Sequence, residues 1–297
     1  KAISIIQFKI EGQIIQRNPN FNMDDRLMLD KIDYKKGTIN IDGNSYDLLD
    51  KYFPSIDPTD PYALSAAESE VMEKLSSSFK NSKRLQEHIE FLFAKGSMYL
   101  THNSNLLYHG CVPMTADGNF EKFEIDGEEY MGKELCDRLD RAVRNAYQQR
   151  FKKRLENSYL DYSWYLWCGA ASPLFGKQKM TTFERYFIND KSIQKEERNP
   201  YYKLAYEKEE VCDMILREFG LEPENSHIVN GHVPVKVKKG ESPIKANGKL
   251  FVIDGGMSIP YQSVTGVSGY TLIFNSYGLV LVEHKEFGSK QQAIENE

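Results

Sequence analysis

The chain has 297 residues, 40% of them hydrophobic and 27% charged, which allows one large or two ordinary globular domains. No apolar run approaches the roughly 18 residues of a membrane helix, and a net charge of −5 weighs against nucleic acid as a bulk partner. Four cysteines (Cys111, Cys136, Cys168, Cys212) are irregularly spaced with no Cys-x-x-Cys, which argues against a zinc site or disulfide framework and for reduced thiols in the cytoplasm.

In chain order, Ile3, Ile6, Ile10 and Ile14 recur at helical spacing and predict an amphipathic helix over 2–16, weakened by Gly12 and ended by Asn18-Pro-Asn. A short helix is expected over 24–32. Thr38-Ile-Asn-Ile, Asp42-Gly-Asn and Ser45-Tyr-Asp-Leu read as a hairpin, and Pro54, Pro58 and Pro61 mark a loop. Ser65-Ala-Ala-Glu68 is a capping box that should open a helix to about 78. A further helix is expected over 82–95, with His88 on a solvated face. Strands follow over 97–101 and 106–109, with His102 between them, and Asp126-Gly127 reads as another hairpin turn. The longest predicted helix covers 132–157; its Arg and Lys residues are either a solvated face or an attraction for a phosphorylated ligand. The aromatic run from Tyr162 to Gly176 reads as a loop near a site wall or as a hydrophobic anchor. A helix over 201–219 should be closed by Gly220. The remainder is β-rich, with a polar tail after Phe287. The expected organisation is a mainly helical region with a small hairpin over 1–96, then a unit over 97–297 with a helical insertion at about 130–220.

Two blocks carry the chemistry. Asn105-Leu-Leu-Tyr-His-Gly-Cys-Val-Pro and Asn225-Ser-His-Ile-Val-Asn-Gly-His-Val-Pro-Val each run from an apolar strand into a histidine–glycine turn followed by Pro. Imidazoles on two rigid strand ends could converge on one metal ion, and a neighbouring Gly lets backbone approach it. The alternative is a pair of turns whose histidines satisfy local hydrogen bonds. Together with Leu250-Phe-Val-Ile-Asp-Gly-Gly-Met-Ser, these blocks resemble class III fructose-1,6-bisphosphatase, of the calcineurin-like metallophosphoesterases. The resemblance runs nearly the whole length, from Ile3-Ser-Ile-Ile-Gln-Phe to Gly269-Tyr-Thr-Leu-Ile-Phe-Asn-Ser-Tyr-Gly. Such enzymes also carry Asp-x-His, Gly-Asp-x-x-Asp-Arg-Gly and Gly-Asn-His-Asp/Glu, which this chain lacks. It is therefore expected to be the C-terminal part of a longer enzyme, with the missing N-terminal part as its partner.

The resemblance implies an α/β fold, a metallophosphoesterase-like mixed β-sandwich flanked by helices, with helical insertions. It implies a dinuclear divalent metal centre using manganese, with His109 and His232 on the same ion. No catalytic residue is assigned, because the general acid is expected in the absent Gly-Asn-His-Asp/Glu block. Asp254 either orients a metal-bound imidazole from behind or closes an Asx turn into Gly255-Gly256. Lys236, Lys238 and Lys239, with Lys245 and Lys249 beyond, are candidates for a substrate phosphate or else a solvated lysine hairpin. The implied activity is hydrolysis of a sugar bisphosphate, fructose 1,6-bisphosphate, to fructose 6-phosphate and phosphate in gluconeogenesis. The rivals are a related phosphoesterase acting on a phosphoprotein or dinucleoside polyphosphate, and a noncatalytic regulatory or assembly fragment. Neither nucleic acid nor membrane is an expected partner, and self-association into a homo-oligomer is left open.

Overall fold

The chain opens with helix α1 (Ala2–Arg17), whose buried side carries Ile5, Ile6, Phe8, Ile14 and Ile15. Gly12 belongs inside this helix because a Cβ there would collide with the ring of Tyr62. In this computed structural model, which describes residues 1–149, 157–256, 258–266, 269–284 and 289–295, the expected helix over 24–32 is absent. Two 3-10 turns, Asp24–Arg26 and Leu29–Lys31, take its place before strand β1 (Ile32–Asp33). Tertiary contacts override local propensity here: Arg26 bonds both oxygens of Glu184 at 2.8 and 2.9 Å, and Tyr62 bonds Asp30 at 3.0 Å. Strands β2 (Thr38–Ile41) and β3 (Asn44–Asp47) turn at Asp42-Gly43, both with positive φ (51° and 80°), as a tight hairpin requires.

The capping box opens α2 (Ala66–Asn81): Ser65 Oγ accepts from the Glu68 amide at 3.3 Å, and Glu68 accepts from the Ser65 amide at 2.8 Å. Then come α3 (Lys83–Lys95), β4 (Tyr99–His102), β5 (Asn105–Tyr108) and the hairpin β6 (Phe123–Ile125) and β7 (Glu128–Tyr130). Helix α4 (Gly132–Gln149) bears out the start of the longest predicted helix; 150–156 lie outside the described residues. The expected loop from Tyr162 begins instead as helix α5 (Asn157–Cys168). Its signal was the spacing of Tyr162, Tyr165 and Leu166, which are buried at i, i+3 and i+4.

After α6 (Thr182–Phe187), the expected single helix over 201–219 is two, α7 (Tyr201–Glu207) and α8 (Glu209–Glu218). They break at Lys208, which is extended, and the Cys212 thiol takes the Ala205 carbonyl at 3.1 Å. Gly220 (φ 76°) ends α8 with a six-to-one bond from the Leu221 amide to the Leu216 carbonyl, 2.9 Å, and one from its own amide to Arg217. Strands β8 (His227–Asn230), β9 (Ile244–Lys245) and β10 (Leu250–Val252) precede α9 (Ile259–Thr265), the hairpin β11 (Gly269–Asn275) and β12 (Gly278–His284), and α10 (Lys290–Glu295).

The architecture is α/β. A five-stranded mixed sheet has the order β4-β5-β8-β10-β9, with β5, β8 and β10 parallel and the outer two strands antiparallel. Leu106, Ile228 and Leu250 stand level across the parallel strands and are fully buried. Strands covered in this way read as apolar runs rather than alternations. Tyr201, Ala205, Ile215 and Leu216 of α7 and α8 join them in one core. A second core lies among α1, the β6–β7 hairpin, α4 and α5, and a third joins α1, β1 to β3 and α6.

Candidate functional site

Parallel neighbours finish at the same sheet edge, and there the chain delivers its chemistry. His109 follows β5, Gly231-His232 follows β8, and Asp254 stands two residues beyond β10. The ladder continues past the strand ends through bonds from the Gly231 amide to the His109 carbonyl (3.0 Å) and from the Ile253 amide to the Asn230 carbonyl (2.9 Å). Residues 123 positions apart in the chain are thereby brought ring to ring.

Local backbone aims each ring. A Cβ on Gly110 would lie 2.6 Å from the Pro173 carbonyl oxygen, so only glycine fits directly after His109. Gly231 is different: a Cβ there would make ordinary contacts of 3.6 Å with Asp254 and the His109 carbonyl. The unusual conformation belongs to His232 itself, at φ 65°. With the Val233 amide bonded to the Gly231 carbonyl at 2.7 Å, the chain reverses about His232 in a three-residue turn. Behind the rings, the buried Asn230 amide donates to the Gly110 carbonyl (3.1 Å) and to the Tyr201 hydroxyl (3.0 Å), tying the two histidine loops to one another and to α7.

His109 Nε2 stands 3.0 Å from His232 Nδ1, the rings inclined at 65°. His232 Nε2 lies 2.9 Å from the Phe175 carbonyl, which can only accept, so Nε2 carries the proton and the Nδ1 lone pair faces His109. Burial lowers the pKa of both imidazoles; repulsion from His109 and the charge of Lys177 add to this at His232, where the bond to the Phe175 carbonyl opposes it, and Asp254 opposes it at both. Both are held towards the neutral form, which is the form that ligates metals. Two nitrogens at about 2.1 Å from one ion and at right angles to each other would be about 3.0 Å apart. The pair therefore fits two ligands of one cation. Among the described residues no group of three or more His, Cys, Asp and Glu converges to complete such a site.

Asp254 Oδ1 accepts from the Gly256 amide at 2.8 Å, closing the Asx turn, while its charge acts on both imidazoles. Of the two roles weighed in the sequence, the geometry displays the Asx turn, and the carboxylate reaches the imidazoles through its charge rather than through a hydrogen bond. The lysines after His232 are directed elsewhere: Lys238 donates to the Ser263 carbonyl at 2.9 Å, Lys245 lies over the Tyr206 ring, and Lys249 pairs with Asp213. Lys236 and Lys239 flank and end the 3-10 turn Val237–Lys239. None of them lines the cleft that holds both imidazoles, a hollow of about 800 Å³ with largely apolar walls that include Met98, Trp167 and Phe175. Of the basic helix face, Arg144 reaches this cleft, but it is engaged with Asp140 at 2.6 Å and the carbonyls of Phe93 and Gly96 at 2.5 and 2.6 Å. Sequence reading set Phe175 in an aromatic run near a site wall, and it lines the cleft, but missed its carbonyl at His232, which leaves no residue-type signal. It also missed Lys177, just beyond the aromatic run.

A family model described as Firmicute fructose-1,6-bisphosphatase matches residues 1–297. Similar curated proteins include the class 3 fructose-1,6-bisphosphatases of Alkaliphilus metalliredigens (59% identical), Clostridium novyi (57%) and Listeria innocua (56%). In each case all of this chain is covered and 45%, 44% and 45% of the relative, respectively. The chain thus spans somewhat under half the length of these relatives. No solved structure matches.

Proposed function

The chain belongs to the Firmicute fructose-1,6-bisphosphatase family, and from this we propose that it is the C-terminal part of a class III enzyme that hydrolyses fructose 1,6-bisphosphate to fructose 6-phosphate and phosphate. The observation that carries the reading is the imidazole pair, two nitrogens 3.0 Å apart on adjacent parallel strand ends. His109 through Nε2 and His232 through Nδ1 would hold one divalent ion, and nitrogen donors suit manganese better than magnesium. Such an ion, with a second beside it, supplies positive charge that polarises a phosphoryl oxygen and acidifies water at neutral pH.

This chain's own residues prepare that chemistry. The Phe175 carbonyl fixes the His232 tautomer, as partners behind metal-bound imidazoles do. Asn230 locks the two loops together, and burial shifts both rings towards the unprotonated form. The bridging carboxylate, the remaining ligands and the general acid would come from the rest of the polypeptide, on a metallophosphoesterase-like sandwich of which the mixed sheet is one part. The reading makes the protein a cytoplasmic enzyme of gluconeogenesis, and no helix among the described residues is long and apolar enough to cross a membrane.

The test is phosphate release by the full-length protein with manganese, from fructose 1,6-bisphosphate beside a phosphoprotein and a dinucleoside polyphosphate. The sugar bisphosphate should be turned over fastest, and residues 1–297 alone should release no phosphate above background. Preference for either rival substrate would overturn the proposed activity, and turnover by the isolated chain would overturn its dependence on outside ligands.

A further inference from the structure

Lys177 stands in the cleft beside the imidazole pair on a backbone built to hold it still. Its neighbour Gly176 takes φ 63°, and a Cβ there would lie 2.5 Å from the Tyr202 hydroxyl. The Gln178 amide bonds the Glu197 carbonyl at 2.8 Å, and the Asn199 amide bonds the Gly176 carbonyl at 3.0 Å. Phe175, two residues before Lys177, is the residue whose carbonyl orients His232. One short loop therefore aims an imidazole and contributes Lys177 to the wall of the same hollow, its ammonium 5.7 Å from the centre of the Phe175 ring.

Charge accounting singles this ammonium out. The cleft-lining cations among the described residues are Arg144 and Lys177. Arg144 is fully engaged with Asp140 and two carbonyls. Lys177 bonds Glu196 at 2.6 Å, but the other Glu196 oxygen is shared with Arg185 at 3.3 Å. Two cations on one carboxylate leave a net positive charge, and an ammonium has three donors of which Glu196 takes one. A positive charge partly exposed beside largely apolar walls attracts an anion that enters the hollow.

We propose that Lys177 binds a phosphate oxygen of a phosphorylated sugar held in this cleft, with Glu196 as the partner that keeps the ammonium in place until substrate arrives. This deepens the bisphosphatase reading and rests on it. The experiment uses the full-length enzyme with manganese and measures kcat, KM for fructose 1,6-bisphosphate, inhibition by inorganic phosphate, and metal content. Lys177→Met should raise KM at least tenfold and weaken phosphate inhibition, with kcat within about threefold of the parent and metal content unchanged. Lys177→Arg should recover most of the loss. Glu196→Gln separates binding from mere structural support: it frees the ammonium and should lower KM, whereas a purely structural ion pair would make both variants worse. An unchanged KM in Lys177→Met, or a raised KM in Glu196→Gln, in an enzyme whose parent is fully active, would overturn the assignment and leave the activity itself intact. A parent inactive on the sugar bisphosphate would instead overturn the reading beneath it.

Discussion

His232 holds a left-handed backbone, φ 65°, that costs a residue with a Cβ on the order of 1–2 kcal/mol. Strain of this kind persists where surroundings over-determine the geometry, and here the bonds to Phe175 and across the reversal at Gly231 do so. A pair of substitutions isolates the backbone term. His232→Gly and His232→Ala both lose the ring and its hydrogen bonds, but only glycine is at ease at this φ. The glycine variant should unfold at higher urea, by about 1 kcal/mol or more in stability. Equal stabilities would mean that the turn about His232 relaxes freely. The sequence paired His109 with His232 through strand-end turns and the family resemblance those blocks carry, and the structure brings the two rings together. The sequence does not reveal why Gly110 has no room for a side chain, because the cause is the Pro173 carbonyl, a contact no local pattern signals.

Among elements, α2 is secured at its first turn. Lys9 of α1 is fully buried and donates to Glu68 at 2.7 Å and to the Ser55 carbonyl at 2.5 Å, so the capping glutamate also neutralises a buried ammonium. Removing one partner of such a pair strands the other charge. Lys9→Met should therefore cost about 3 kcal/mol, measured by urea unfolding. Lys9→Met/Glu68→Gln should cost clearly less, because the amide still caps the helix without an unpaired charge. A double variant less stable than the single would show that net attraction, not avoidance of a stranded charge, dominates. The cap itself was legible from Ser65-Ala-Ala-Glu68; its buried partner, 59 residues upstream, was not. The helix expected over 24–32 failed for the same reason, since Arg26 and Asp30 are held by Glu184 and Tyr62, distant in the chain.

At the scale of the molecule, three parallel strands set the candidate site by their shared direction, and the cleft beside them is walled by segments from α3 to residue 180. The apolar strands and their end turns were readable as short runs, but the wall needed the tertiary fold. Phe175 and Lys177 enter only because the loop after α5 folds over the sheet edge. The central claim is that His109 and His232 share one metal ion. Its most direct test is the manganese content and fructose 1,6-bisphosphate turnover of purified full-length protein, comparing the parent with His232→Ala and with His102→Ala. His102 is the matched control, an exposed histidine at the end of β4 outside the cleft. The account predicts that His232→Ala loses bound manganese and falls in turnover by more than the roughly 100-fold upper range for a partner behind the ligands, while His102→Ala keeps both. Full manganese occupancy with near-parent turnover in His232→Ala would contradict it.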